Sequence, residues 1–262
     1  MKIGVDFHVI DGKFQGSRTH LLELYSEVVR ISPEFEFYFF LDRPDALQKS
    51  HANFIAPNIH LVKMPAASAA KRLFWNLPKL IKRFGLDVIH TQYVLPMEYV
   101  LPMDVMPPTA RCKKIVTIHD ILFETYPQFF TPLFVARSRF LIRWAATRAD
   151  HIFTVSEYSK DAICRLYGVG DQKVSVTRNG VAYGHFAEGG MDDGNILAAR
   201  QLSRKGYILS VGRLEPRKNH RTLLEAYALL GENAPPLVIV GQRDFGFDGV
   251  FATIKIRNLG AK

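Results

Sequence analysis

Short apolar runs alternate with helix-like segments along most of this chain, and few architectures accommodate that rhythm. Residues 2–9 read as a first strand, and residues 19–31 follow as a helix with Leu21, Leu22, Leu24, Tyr25, Val28 and Val29 on one side. Residues 35–41, 59–64, 88–91 and 115–118 read as further strands, with basic-apolar stretches between them at 71–84 and 134–149. Residues 152–155 and 174–177 add two more strands, separated by a helix over 159–167. A helix between two strands returns the chain in its first direction, so the repetition predicts an α/β fold with a parallel, doubly wound sheet covered on both faces. Its crossovers should be right-handed.

Asn179-Gly180 ends that rhythm. The stretch that follows carries Gly184, Gly189, Gly190 and Gly194 with three acids and little apolar content, and it reads as a linker. A second strand–helix series begins at Tyr207, with another strand at 237–240 and a helix over 249–258. The expected organisation is a domain over 1–183, a linker over 184–206 and a partial second domain over 207–262. Two strand–helix units bury little apolar surface alone. Truncation inside the second domain is therefore expected, and its exposed strand edge invites pairing with another copy.

Lys and Arg number 34 against 25 Asp and Glu, so the net charge of +9 favours an anionic partner. Nucleic acid, a membrane surface and phosphorylated small molecules all satisfy charge alone. Two cysteines, Cys112 and Cys164, lack metal-type spacing and suggest a reducing compartment. The N-terminus, MKIGVDFHVIDG, does not read as a signal peptide, and no apolar run reaches membrane-spanning length. The expected location is cytoplasmic.

The segment SVGRLEPRKNHRTLLEAYALL sets Arg213, Arg217 and Lys218 in one turn, where a strand gives way to a helix. A strand–Gly–helix turn leaves free N–H groups at the helix N-terminus, and these with the dipole favour an anion. Asn219 is available as the N-cap, so capping does not require the cations. Arg213 offers a planar fork for two phosphate oxygens, and Lys218 a compact point charge. An ordinary solvated basic turn is the alternative. Elsewhere, His119-Asp120 follows a strand at its C-terminal end, where open α/β sheets place ligands, although Asp120 could simply cap the next segment. Gly12 and Gly16 flank the first loop and would serve equally as turn residues. Ser156 reads as a helix cap.

Several of these stretches carry a family likeness. ILSVGRLEPRKNHRTLLEAYALL and LVIVGQRDFGF resemble the start of the second domain of family-four retaining glycosyltransferases. VTIHDILFETYPQFF, ADHIFTVSEYSKDAICRLYGV, KVSVTRNGV and DGKFQGSRTHLLELYSEV resemble their first domain, in the family's order. The resemblance implies the GT-B fold: a Rossmann-like first domain on the acceptor side and a second, here partial, Rossmann-like domain for a nucleotide-sugar donor, without metal or cofactor. It implies that Arg213 and Lys218 hold the donor diphosphate and stabilise the leaving group. It implies that the backbone at Gly16 approaches the same phosphate, although Gly16-Ser17-Arg18 departs from the family's commoner pattern. His119 and Asp120 would line the cleft near the transferred sugar, with a front-side displacement in which the leaving phosphate helps take the acceptor proton. The acceptor would be a saccharide or lipid-linked, and nucleic acid would not be a partner. Residues 71–84, KRLFWNLPKLIKRF, could rest on an anionic membrane face, although Pro78 interrupts them. Two rivals stand beside this reading. One is a non-catalytic remnant or binding module of the same fold. The other is a dinucleotide-dependent enzyme, against which the missing GxGxxG turn counts.

Overall fold

The computed structural model of the protein describes residues 1–11, 16–96, 112–180, 193–244 and 246–259. The chain divides into two compact units, Met1–Ala182 and Tyr183–Lys262.

The first unit is built on seven strands: β1 (Lys2–Asp6), β2 (Glu36–Leu41), β3 (Ile59–Lys63), β4 (Val88–Gln92), β5 (Lys113–Thr117), β6 (His151–Thr154) and β7 (Val174–Val176). They are all parallel, in the order β3-β2-β1-β4-β5-β6-β7, so the strand order reverses between β1 and β4. Both faces are covered, which is why the strands read as continuous apolar runs. In β2, side chains alternate between faces. Phe37, Phe39 and Leu41 pack with Val5, Phe7, Leu21 and Tyr25, the last two from helix α1 (Gly16–Ile31). Tyr38 and Phe40 pack on the opposite side with Leu77, Leu80 and Ile81.

The remaining helices of this unit are α2 (Pro44–Ser50), α3 (Ala69–Lys71), α4 (Leu77–Phe84), α5 (Leu122–Thr125), α6 (Pro132–Arg148) and α7 (Glu157–Tyr167). The expected break at Pro78 takes a particular form. Arg72–Asn76 is wound as a π-helix that leads directly into α4, and Pro78 falls in the first turn after it. Ser156 caps α7 by accepting from the Ser159 N–H at 3.1 Å.

The second unit holds α8 (Asp193–Ala199), β8 (Ile208–Val211), α9 (His220–Ala228), β9 (Leu237–Val240) and α10 (Asp248–Ile256). Helix α8 occupies part of the span expected as linker; residues 184–192 of that span lie outside the described residues. Strands β8 and β9 pair in parallel. At the carboxyl end of β9 a Cβ on Gly241 would lie 1.7 Å from the Gly212 carbonyl oxygen, so the two backbones meet more closely than any side chain permits.

Candidate functional site

In the first unit the polar residues gather at the carboxyl ends of the central strands, beside the point where strand order reverses. Such a crevice is where open α/β sheets bind ligands. Three polar residues in succession, His90, Thr91 and Gln92, are buried at the end of β4. His90 hydrogen-bonds Tyr25 Oη and Thr117 Oγ1, each at 2.7 Å. His119 lies just beyond β5, and its main chain is fixed by the Ser159 hydroxyl, which donates to the His119 carbonyl at 3.1 Å. Its ring lies 2.6 Å from Gln92 Oε1. Because that oxygen can only accept, His119 Nε2 carries the hydrogen and Nδ1 is left as an acceptor.

Helix α1 brings His20 against this group. The His20 and His119 rings are 4.9 Å apart at 83°, and His20 Nδ1 lies 3.1 Å from Asn179 Oδ1. Tyr93 adds its ring at 5.6 Å from His119 and sits in the left-handed region at φ 61°, a strained backbone of the kind that clusters at functional sites. Burial first, then the charge His20 would carry, holds the His119 imidazole down to about 4. Burial likewise holds His90 down to about 3. Both rings are neutral near pH 7, suited to exchanging hydrogen bonds with hydroxyl groups rather than to pairing with an anion.

Asp120 Oδ1 accepts from the Leu122 N–H at 3.2 Å, so it caps the first turn after His119. Gly16 is the first residue of α1, and a Cβ there would meet nothing within 4 Å. Neither a left-handed backbone nor a neighbouring atom among the described residues requires a glycine at that position. Gly12 lies outside the described residues. Gly16, His119 and Asp120 are thus drawn to one end of the sheet, through His20 one turn into α1.

Arg213 and Lys218 fall in the second unit. Arg213 Nη1 donates to Asp244 Oδ2 at 2.8 Å, and the Arg213 carbonyl lies 3.0 Å from His220 Nε2. Arg217 Nη2 donates to Glu215 Oε1 at 2.7 Å. The aliphatic part of Lys218 lies over Gly212, with Cδ 3.7 Å from where a Cβ would sit. Asn219 stands at the N-cap position of α9 but does not cap it with its side chain. Its backbone is left-handed at φ 52°, and its Oδ1 accepts from the Thr222 hydroxyl at 2.9 Å. The first turn of α9 also contains no acidic residue. No group of His, Cys, Asp and Glu among the described residues could hold a metal ion.

His20, Gln92 and Tyr93 were not singled out from sequence as site residues, and Asn179 was read only as the turn that ends the strand–helix rhythm. The one available signal was the polar run His90-Thr91-Gln92 ending an otherwise apolar strand.

The comparisons with known proteins agree on the kind of molecule this is. The family model described as Glycosyltransferase Family 4 matches residues 14–183. O-antigen chain mannosyltransferase B of Escherichia coli is 28% identical over 146 residues, covering 55% of this chain and 38% of that protein. A Campylobacter jejuni transferase that adds N-acetylgalactosamine to a diphospho-undecaprenol-linked saccharide is 30% identical over 125 residues, 48% of this chain and 32% of its own. The matched stretches therefore span about a third of these relatives' length. Among solved structures, Anabaena HepE in complex with UDP-glucose overlays all of this chain and 67% of its own, with a TM-score of 0.68 at 18% identity. The galactosyltransferase WaaB, which acts on the lipopolysaccharide outer core, overlays 99% of this chain and 66% of its own, with a TM-score of 0.55 at 18% identity. These neighbours share the GT-B fold, whose Rossmann-like first domain corresponds to the seven-stranded unit. With a family match across most of that unit, this chain belongs to glycosyltransferase family 4.

Proposed function

We propose that this protein transfers a sugar from a nucleotide-sugar donor to a saccharide or lipid-linked acceptor, with retention, in the assembly of a surface polysaccharide. The observation that carries the reading is His119: a neutral, positioned imidazole at the carboxyl end of β5, held by Gln92 and packed against His20. Its free Nδ1 suits a sugar hydroxyl. Arg213 is assigned to the donor diphosphate with Lys218, and Asp244 holds the guanidinium in a fixed orientation for it. As the bond from the anomeric carbon to phosphate breaks, the acceptor oxygen bonds that carbon on the same face. Its proton passes to the departing diphosphate, whose charge Arg213 and Lys218 stabilise. Asp120 orders the turn that carries His119, and Gly16 leaves room for a phosphate at the start of α1. The named relatives act on O-antigen and undecaprenol-linked saccharides, which supports the acceptor class.

Membrane contact belongs to the same reading. Trp75 is 72% exposed beside exposed Phe74, with Lys71, Lys79, Lys82 and Arg83 exposed along the same segment. That is the composition of a surface resting on anionic lipid.

The donor assignment is tested by calorimetry with UDP and GDP. Losing a charged hydrogen-bond partner costs roughly 1.5–3 kcal/mol, so Arg213→Ala should weaken binding about tenfold or more. Equal affinity for wild type and Arg213→Ala removes Arg213 from the site.

A further inference from the structure

The net charge of +9 is not spread over the molecule. Residues 71–84 and helix α6 together hold nine Lys and Arg and no Asp or Glu, and the rest of the chain, with 25 cations against 25 acids, is neutral. Two of the nine are engaged, Arg72 with Asp6 and Arg139 with Glu124. The others are exposed and have no acidic partner among the described residues. Crowding one sign of charge costs self-repulsion, which an anionic partner relieves.

The two segments meet on one face of the sheet. Leu73, Leu77, Leu80 and Ile81 of the first pack into the same cluster as Leu141 and Trp144 of α6. On α6, Val135, Ile142 and Ala146 are buried, and Leu133, Arg137 and Phe140 follow at i, i+4 and i+7 along the opposite side. Leu133 is 80% and Phe140 66% exposed. Trp75, Lys79 and Lys82 repeat that spacing, opposite Leu77, Leu80 and Ile81. Each segment thus turns outward a stripe that mixes large apolar side chains with cations.

That mixture selects among anionic partners. Nucleic acid would satisfy the cations, but it stacks on ring faces and gives the aliphatic Leu133 nothing to meet. A bilayer surface takes both kinds of group, apolar side chains at the acyl boundary and cations among the headgroups. We propose that α6 and residues 71–84 form one two-helix platform that docks on an anionic bilayer, with both helix axes lying along its surface. The inference extends to α6 the membrane contact read above from residues 71–84, and it rests on no residue assigned to sugar transfer.

The platform also has a direction. Arg72 reaches Asp6 at the carboxyl end of β1, while Asp150, just after α6, donates its N–H to the Lys114 carbonyl near the start of β5. The first turns of both segments, with Trp75 and Leu133, therefore lie toward the end of the sheet that carries His119. A lipid-carried substrate would reach that end along the membrane surface.

The test is sedimentation of the 262-residue chain with vesicles of phosphatidylcholine, with and without phosphatidylglycerol. Binding should require phosphatidylglycerol and weaken as salt rises. Each cation at an anionic surface is worth about fivefold in partitioning, so Arg137→Glu should weaken binding at least tenfold. Phe140→Ser should weaken it about tenfold through lost apolar contact. Ile31→Ser, which removes an equally exposed apolar residue at the end of α1 on the other sheet face, should bind as wild type does. Binding that survives both α6 substitutions but is lost in Lys79→Glu with Lys82→Glu rejects α6 and leaves the contact at 71–84. No binding of wild type to either vesicle rejects membrane contact altogether, while the donor assignment keeps its own calorimetric test. Tighter binding to single-stranded DNA than to anionic vesicles, lost in Arg137→Glu, would make the face a nucleic-acid site and overturn the proposal.

Discussion

Acid should unfold the first unit well before its carboxylates are protonated. His119 and His90 are held down to about 4 and about 3, against an ordinary value of 6.5. A base whose folded-state pKa is depressed contributes stability that is present above its unfolded value and lost as pH falls. Between pH 6.5 and 5 the unfolded chain takes up protons that these rings refuse. Each ring then contributes the unfolded shortfall of roughly 1.5 pH units, about 2 kcal/mol at 1.36 kcal/mol per unit, or about 4 kcal/mol for both. That is a large fraction of the 5–15 kcal/mol typical of a whole domain. His20, also lowered by burial, acts in the same direction. Asp6 extends the loss to lower pH: burial would raise its carboxyl, but His8 and Arg72 together pull it below the ordinary value. Urea unfolding followed by tryptophan fluorescence reads this unit selectively, because both tryptophans of the chain, Trp75 and Trp144, lie in it. The urea midpoint should fall steeply between pH 7.5 and 5, and His119→Asn should remove about half of that slope. A midpoint unchanged across this range would show that the rings are hydrated or already charged in the folded state, and the neutral-imidazole argument would fail with it.

Other perturbations give sharper local readings. Gly241→Ala places a Cβ against the Gly212 carbonyl and should loosen β8 and β9 by about 1–3 kcal/mol, read as faster amide exchange at Val211 and Ile239 with the first unit unchanged. Ser156→Ala removes the α7 cap and should lower the stability of the first unit by about 1 kcal/mol in the same urea assay. Vesicles containing anionic lipid should blue-shift Trp75 emission, and Lys79→Glu with Lys82→Glu should abolish the shift; an equal shift with neutral vesicles would reject charge as its origin.

The seven-stranded sheet was legible because a strand buried on both faces must be apolar throughout, as Phe37–Leu41 is. The ends of strands were less so. Residues 2–9 read as one strand, yet β1 stops at Asp6, which is 1% exposed and ion-paired with Arg72, and His8–Ile10 turns into a 3₁₀ helix. Nothing local announces that pairing, since Arg72 lies 66 residues away. Asn219 read as an ordinary cap because its residue type suits one. A left-handed backbone turned its side chain to Thr222 instead, a choice made by the chain path rather than by composition. His119 stood out through its position after a strand. His20 did not, because it lies on an apolar helix face beside Leu21 and Leu22 and gains meaning only from Asn179, 159 residues distant.

The reversal of strand order between β1 and β4 also shapes how the unit assembles. From β4 onward each new strand docks beside the one before it, so β5, β6 and β7 can be added in the order of synthesis without threading between neighbours. The step from β3 to β4 is different. The chain must leave one sheet edge and return to the other side of β1, where Ile3, Gly4 and Val5 await Val88, Ile89 and His90. Pairings so distant in sequence form slowly. Until Val88–Gln92 arrive, one side of β1 is an open, apolar template for any passing strand, and that interval is when the nascent chain most needs a chaperone or a low local concentration.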